Sequence, residues 1–92
     1  MSVNLARGAD VQVQVRFFAL YRERVGASQK AFAVAEGATV GKLVAEVVRE
    51  HPNLCPNPAI VVVAVNREYA GHEQRLKAGD EAAFIPPVSG GQ

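Results

Sequence analysis

The residues best suited to chemistry lie at the C-terminal end, in the run Pro86-Pro87-Val88-Ser89-Gly90-Gly91-Gln92. A chain that ends in glycine presents a carboxylate with no side chain crowding it, and two glycines can pass through a narrow channel. Such a carboxylate can be activated as an acyl-adenylate and then attacked by sulfur, which leaves a thiocarboxylate. From Pro86 to Gly91 the extended chain reaches roughly 20 Å, far enough to enter a partner's active site.

Gln92 follows Gly91, so the Gly91 carboxyl is tied up in an amide and cannot be adenylated as the sequence stands. Three explanations remain open. A protease removes Gln92, the chain is cut from a longer fusion protein, or the protein is an inactive paralogue; the first two are favoured. A frayed terminus without a role is a further interpretation of such an end.

The elements that must position this tail can be predicted from apolar spacing. Strict alternation from Val11 to Phe17 predicts a half-buried strand. Thr39 is a plausible N-cap for the main helix, and Pro52 disfavours helical geometry at His51. The apolar positions of that helix form one stripe, Val40, Leu43, Val44, Val47 and Val48.

The remaining elements are shorter. A helical turn over residues 19–25 points Leu20 and Val25 inward and ends at Gly26, which suits a left-handed cap. Further strands are predicted over residues 31–35, 60–65, 68–70 and 81–85, with turns at residues 66–67 and 77–80. The order predicts an α+β fold in which one helix covers a mixed sheet. We expect a loose leader over residues 1–10, a domain over 11–85 and an extended tail over 86–92.

Composition narrows the class of protein. The chain has 92 residues, of which 49% are hydrophobic, and ten basic residues balance nine acidic ones. That balance favours one globular domain and gives no basic excess for nucleic acid. There is no apolar run of about 18 residues to span a membrane, and the first residues lack signal-peptide features, so we expect a cytoplasmic protein.

Other motifs do not support a catalytic site. The segment from Gly37 to Lys42 is one residue too short for a phosphate loop, and Leu43 stands where Ser or Thr is required. His51 is favourable near a helix C-terminus, and His72 is expected to be solvated. Cys55, the single cysteine, is expected to be buried or inert. We predict no metal site and no catalytic site within this chain.

The C-terminal run from Gly79 to Gly91 resembles the signature of molybdopterin synthase small subunits, a ubiquitin-like sulfur-carrier family. An acidic turn leads into an apolar strand, two prolines, a small apolar residue and Gly-Gly. The resemblance extends over roughly residues 11–91. It includes Val15-Arg16-Phe17-Phe18-Ala19 with Leu20 and Arg22, Thr39-Val40 with Leu43, and Ala64-Val65-Asn66.

This resemblance implies a ubiquitin-like β-grasp fold, with four to five strands and one main helix. It also implies a sulfur carrier of molybdenum cofactor biosynthesis. Gly91 would carry the adenylate and then the thiocarboxylate, and Ser89 and Gly90 would line the threading segment. The residues expected to contact partners near the tail root are Phe84, Pro86, Pro87 and Val88.

The implied partners are a synthase large subunit that holds the pterin precursor, a ubiquitin-activating-like adenylyltransferase that uses ATP, and a sulfur donor protein. No cofactor is expected on this chain, and neither nucleic acid nor membrane is an expected partner. Three alternatives stay open: a sulfur carrier for thiamine, cysteine or transfer-RNA thiolation; a ubiquitin-like protein tag joined through Gly91; and a plain interaction module.

Overall fold

The computed structural model describes residues 10–55 and 57–86. Most of the predicted leader and the tail beyond Pro86 lie outside the described residues. The elements are β1 (Asp10–Phe17), α1 (Ala19–Val25), β2 (Gln29–Ala35), α2 (Val40–Glu50), a 3₁₀ turn (Pro58–Ile60), β3 (Val62–Val65), β4 (Glu68–Ala70) and β5 (Glu81–Ile85).

The strands form a five-stranded sheet in the order β2-β1-β5-β3-β4. Every neighbouring pair is antiparallel except β1 and β5, which run parallel at the centre. The helix α2 covers one face of this sheet. The mixed sheet with one main helix confirms the predicted α+β, β-grasp architecture.

The alternation in β1 sorts its side chains between the two faces as predicted. Val13, Val15 and Phe17 are at most 1% exposed, whereas Gln14 and Arg16 between them are exposed. Because successive strand residues point to opposite faces, one face receives the apolar set and packs under α2. The core therefore lies between α2 and a single face of the sheet.

Helix α2 begins and ends close to the predicted positions. The Thr39 hydroxyl oxygen accepts a hydrogen bond from the Lys42 backbone N–H at 3.2 Å, which confirms the N-cap. The helix ends at Glu50, immediately before the His51 cap and Pro52. The stripe is buried at Val40, Leu43, Val44 and Val47, and Val48 packs half-buried at its margin.

The orientation of α1 differs from the prediction. Tyr21 is 2% exposed and Leu20 is 45% exposed, so Tyr21, and not Leu20, faces the core. The chain enters α1 through Ala19 at φ 51°, a left-handed step that shifts which residues of this seven-residue helix face inward. Gly26 caps the helix at φ 86° and donates its N–H to the Arg22 carbonyl, as the sequence predicted.

The predicted strand over residues 60–65 is shorter in the structure. Pro58–Ile60 forms a 3₁₀ turn instead, and β3 begins only at Val62. Proline suits the first position of a helical turn because its φ is fixed and it lacks an N–H. Asn57 caps the turn through its side-chain oxygen, which accepts from the Ala59 N–H at 3.1 Å. Ile60 is consequently 48% exposed.

Both predicted turns are confirmed. Asn66 and Arg67 join β3 to β4 with φ values of 51° and 74°, the pair of left-handed residues that a two-residue hairpin loop of type I′ requires. Gly79 takes φ 84° in the turn before β5. Neither helix in the described part of the chain is long and apolar enough to cross a membrane.

Candidate functional site

The root of the tail is a central strand. β5 lies between β1 and β3, and its last residue, Ile85, pairs with Val62 of β3. Pro86 is half-buried and is the last residue that the structure describes. The other predicted tail residues lie outside the described ranges: Pro87, Val88, Ser89, Gly90 and Gly91. The chain therefore enters the tail at Pro86 directly from a strand that has a neighbouring strand on each side.

Phe84 does not belong to the partner-facing surface that the sequence predicted. Its side chain is 0% exposed and packs edge-on against Phe17, with ring centroids 5.7 Å apart and an angle of 73° between the rings. A wholly buried ring cannot touch a partner, because no atom of it reaches the surface. Phe84 instead anchors β5 to β1 from below the sheet, immediately before the root.

The face of the sheet opposite α2 carries apolar residues that the sequence analysis missed. Ala83 and Ile85 alternate with the buried Ala82 and Phe84, so they point away from the core. We define the open face as the outward-pointing apolar residues Phe18, Val62, Ala64, Tyr69, Ala83 and Ile85. The period-two pattern in β5 was the signal that could have found it.

Three residues of the open face are strongly exposed: Phe18 by 40%, Val62 by 40% and Tyr69 by 77%. Grouped apolar side chains on a surface mark interaction sites more often than single ones do. The strand register places Ala64 beside both Tyr69 and Ala83. The open face is therefore one continuous surface across β5, β3 and β4, and it reaches the root of the tail.

A shallow hollow of about 160 Å³ lies on this face. Its lining comprises Arg16, Phe18, Ala64, Arg67, Glu81 and Ala83. Arg16 donates to the Glu81 carboxylate at 3.1 Å, and its guanidinium carbon lies 5.6 Å from the centre of the Phe18 ring. These contacts give the hollow an apolar floor with one ion pair at its rim, which suits a partner side chain better than a reacting centre.

The start of β5 is fixed by a buried carboxylate. Asp80 is 7% exposed and accepts from the Asn66 side-chain N–H at 3.0 Å and from the Lys77 backbone N–H at 2.8 Å. Asn66 also accepts from the Glu81 N–H at 3.0 Å. Buried carboxylates are tolerated when hydrogen bonds satisfy them. This network holds the β3–β4 turn against β5 and fixes the strand that carries the tail.

The N-terminus of α2 is not a phosphate site. Val40 and Gly41 donate their N–H groups to the carbonyl oxygens of Gln74 and His72, both at 2.8 Å. Lys42 donates to Thr39. A phosphate cradle needs these same N–H groups free to face the ligand. Gly41 lies so close to His72 that an added Cβ would come within 3.3 Å of it, which explains this glycine by packing.

Cys55 is buried, as predicted, and its thiol donates to the Asn57 carbonyl at 3.2 Å. The buried hydroxyl of Tyr21 has no hydrogen-bond partner among the described residues. Burial, followed by the neighbouring Cys55, raises the pKa of Tyr21 to about 12. Among the described residues, neither group is hydrogen-bonded to a His, Asp or Glu side chain, so the pair lacks the arrangement of an activated nucleophile.

The two histidines make structural contacts. His72 is half-buried and its Nε2 donates to the Val61 carbonyl at 2.8 Å, so the prediction that it is solvated was wrong. His51 caps α2, and its Nε2 lies 3.3 Å from the Lys30 ammonium. Within residues 10–55 and 57–86, no group of three His, Cys, Asp or Glu side chains is placed to hold a metal ion.

Comparison with known proteins extends these observations beyond the described residues. Residues 15–91 match the ThiS family, so the match runs through the tail and stops at Gly91. The molybdopterin synthase sulfur carrier subunit of Chlamydomonas reinhardtii is 39% identical over 83 residues, covering 88% of this chain and 100% of that protein.

Two solved structures share this architecture at 31% and 29% sequence identity. A Pyrococcus furiosus protein described as a molybdopterin converting factor subunit 1 superposes with a TM-score of 0.77 and 31% identity, covering 85% of this chain and 99% of that one. Small archaeal modifier protein 1 of Haloferax volcanii gives a TM-score of 0.76 and 29% identity, with coverage of 85% and 99%.

Proposed function

Because the chain belongs to the ThiS family, we propose that it is a sulfur carrier of molybdenum cofactor biosynthesis, acting as the small subunit of a molybdopterin synthase. One observation carries the proposal. A central strand, held at its start by Asp80, runs directly through Pro86 into a Gly-Gly segment that the family match includes. The Chlamydomonas relative, matched over its whole length, has this role in its name.

The proposed chemistry takes place at Gly91. Its free carboxylate attacks the α-phosphorus of ATP, which releases pyrophosphate and leaves an acyl-adenylate. Sulfur at the oxidation level of sulfide, supplied by a donor protein, then displaces AMP and leaves a thiocarboxylate. The ATP is held by a ubiquitin-activating-like adenylyltransferase and not by this chain. The tail, which now ends in the thiocarboxylate, then donates its sulfur to the pterin precursor in the large subunit.

Gln92 must be absent for this chemistry, because an amide cannot be adenylated in place of a carboxylate. The family match stops at Gly91, which supports Gly91 as the working terminus. We therefore propose that Gln92 is removed before activation.

The open face supplies the docking surface for this role. A tail of a few residues binds weakly by itself, since it must be ordered on entering a partner. Apolar contact across the open face would supply the remaining affinity and hold the root at the mouth of the partner's channel. The large subunit and the activating enzyme are the proposed partners of this surface.

Three chains with defined ends test the chemistry: one ending at Gly91, one ending at Gly90 and the full chain ending at Gln92. Each is incubated with ATP, the activating enzyme and a sulfur donor, and its intact mass is measured. We expect the chain ending at Gly91 to gain the mass of one oxygen-to-sulfur exchange. The full chain should not gain it unless a protease is present.

The chain ending at Gly90 is the matched control, since it keeps the domain and a glycine terminus but shortens the reach by one residue. Equal sulfur loading of the Gly90 and Gly91 ends would remove Gly91 from the mechanism. The intact mass of protein from its native host adds an independent check. Loss of Gln92 together with a sulfur-bearing subpopulation is the expected result.

A protein tag is the second candidate function, favoured by the similarity to small archaeal modifier protein 1. A tag uses the same activated glycine but transfers it to lysine side chains of target proteins. It would produce a ladder of isopeptide-linked products on a denaturing gel of native-host extract. A dedicated sulfur carrier gives a single band.

A further inference from the structure

Arg67 occupies a turn position that glycine fits better. Asn66 and Arg67 form the two-residue loop between β3 and β4, with φ values of 51° and 74°. Asparagine tolerates this left-handed region because its short side chain can bond locally, whereas a longer side chain is strained there, and the second position of such a loop favours glycine. The hydrogen bonds that hold the loop to the start of β5 come from Asn66 and not from Arg67. The hairpin therefore keeps a strained arginine that these bonds do not use.

The Arg67 side chain is exposed and lines the hollow on the open face, beside the ion pair of Arg16 and Glu81. Arg16 donates to the Glu81 carboxylate at 3.1 Å, so this carboxylate already has a cation beside it. Within residues 10–55 and 57–86, Arg67 forms no ion pair. Two guanidinium groups and one carboxylate therefore line the hollow, which leaves one positive charge in excess on this surface.

Glu68, the acidic residue next to Arg67, faces away from the hollow. It is followed in β4 by Tyr69, which points to the open face, and successive strand residues point to opposite faces. Ala70, two residues after Glu68 and on the same side of the strand, packs half-buried against the core. Glu68 therefore does not supply the carboxylate that the hollow lacks.

We propose, resting on the proposed function, that Arg67 binds an acidic side chain of the large subunit when that protein covers the open face. The carboxylate of the partner residue lies against the Arg67 guanidinium, which can donate two parallel N–H···O bonds to it. The aliphatic stem of the partner residue lies on the apolar floor that Phe18, Ala64 and Ala83 form. The contact selects a partner that carries Asp or Glu at the matching position.

The excess charge and the apolar floor together favour a protein side chain over a free anion. A small anion would meet a single unpaired guanidinium in a shallow hollow, where water and salt screen the attraction. A docked protein excludes water from the hollow, and the attraction between opposite charges grows as the surrounding dielectric constant falls. Charge contacts of this kind contribute more to the choice of partner than to raw affinity. Arg67 is thus a specificity-determining residue that acts beside the apolar contacts of the open face.

Calorimetric titration of the large subunit with three charge variants tests the contact. Arg67→Gln removes the charge and keeps part of the stem, and we expect binding about tenfold weaker than that of the unaltered chain. Arg67→Glu sets two like charges together and should weaken binding about a hundredfold. Lys42→Glu, the control, makes the same charge change on α2, outside the hollow, and should bind within about threefold of the unaltered chain.

A fourth variant, Arg67→Gly, separates recognition from the stability of the hairpin. It removes the guanidinium and relieves the strain of the left-handed position. We expect binding to weaken about tenfold while the melting temperature stays the same or rises by up to about 4 °C. Circular dichroism during heating measures the melting temperature of each variant. A fall of about 4 °C or more in Arg67→Gly would mean that the arginine serves the hairpin, which would overturn the proposal.

Salt dependence separates charge from shape. The affinity of the unaltered chain should fall as NaCl rises from about 0.05 M to about 0.5 M, and that of Arg67→Gln should fall less, because salt screens a pair that this variant lacks. Equal affinities of Arg67→Gln, Arg67→Glu and the unaltered chain would overturn this proposal and leave the proposed function standing. If the large subunit bound neither the unaltered chain nor the Lys42→Glu control, the partner itself would be wrong, and the proposed function would fall with the contact.

Discussion

The two faces of β5 differ in how far their side chains are buried. On the face under α2, Ala82 and Phe84 are 0% exposed and pack into the core. On the open face, Ala83 and Ile85 are only half-buried. The same division appears in β3, where Val63 is 0% exposed and Val62 is 40% exposed. Stability is thus carried by one set of alternate residues, and we propose that partner recognition is carried by the other, so that substitutions can separate the two.

Truncation of Phe84 should have the largest effect. Phe84→Ala removes a wholly buried ring and its contact with Phe17, so we expect a loss of about 3–5 kcal/mol in the free energy of unfolding. Ile85→Ala, its neighbour on the open face, is the matched control and should lose about 1 kcal/mol or less. Urea unfolding followed by circular dichroism measures both. Similar losses for the two would mean that the faces are not distinct.

Asp80 keeps the two faces in register. A slip of one residue would move Ala83 and Ile85 into the core and Phe84 out of it. Asp80→Ala leaves the Asn66 and Lys77 donors without their acceptor, and we expect it to lower the free energy of unfolding by about 2–3 kcal/mol. Chemical denaturation reports the loss. A change below about 0.5 kcal/mol would show that the network does not fix β5.

The pH dependence of the free energy of unfolding tests the core face of the sheet, because Tyr21 is buried there. Its pKa is raised to about 12 in the folded chain, against about 10 in the unfolded chain, so the neutral hydroxyl is favoured by folding. Its contribution is fully present below pH 10 and is lost as pH rises from about 10 to 12, by about 2 kcal/mol.

Tyr21→Phe should lack this decline in the free energy of unfolding, whereas Tyr69→Phe, on the open face, should retain it. At neutral pH, Tyr21→Phe should be neutral or slightly stabilising, because the hydroxyl has no partner among the described residues. Denaturation at pH 7 and at several values between 10 and 12 measures both variants. If the free energy of unfolding of Tyr21→Phe fell between pH 10 and 12 as it does in the unaltered chain, the loss would come from other groups.

Val62 tests the open face. Val62→Asp places a charge on the proposed docking surface and should weaken capture by the large subunit about tenfold or more. Ala45→Asp introduces the same carboxylate on the exposed side of α2 and serves as the control. Calorimetric titration measures the affinity of each. Equal affinities would place the docking surface elsewhere.

The smallest effect is expected for the Arg16–Glu81 ion pair on the open face. Both side chains are substantially exposed, so water screens their attraction. Glu81→Gln should change the free energy of unfolding by less than about 1 kcal/mol, and the change should shrink in high salt. A larger loss would mean that the pair, and not the core, holds β5 against β1.

Much of the fold could be predicted because burial between the sheet and α2 imposes a regular spacing of apolar residues. The alternation in β1 and the stripe of α2 follow from burial on one side, and burial selects apolar residues at fixed spacing. The caps at Thr39 and Gly26 were also predictable, since few residue types satisfy a helix end. These predictions concern local geometry that one residue type fits better than others.

The errors share a physical origin. Helix α1 has only seven residues, so one left-handed step at Ala19 decides whether Leu20 or Tyr21 faces inward. The run over residues 60–65 is apolar throughout, and no alternation within it shows that Ile60 and Val62 are exposed. Composition cannot distinguish an apolar residue in the core from one reserved for a partner.

The tail beyond Pro86 remains a prediction, and it rests on its glycines and prolines, whose residue types limit what they can do. Phe84 was assigned to the partner-contacting residues through the family resemblance, which does not show that its ring packs against Phe17 across the sheet. The open face emerges only when β3, β4 and β5 are brought together, which depends on the pairing of distant strands.

Because β1 pairs in parallel with β5, the last element of the chain, the sheet cannot be completed until β5 has been made. Arg16 and Glu81, joined across these two strands, are 65 residues apart. Contacts of such separation slow folding, because a long loop must close before they form. During synthesis the centre of the sheet stays incomplete until β5 has left the ribosome. A shortened nascent chain should therefore remain sensitive to proteases, and an intact domain would indicate that the residues leading into the Gly-Gly segment have been made.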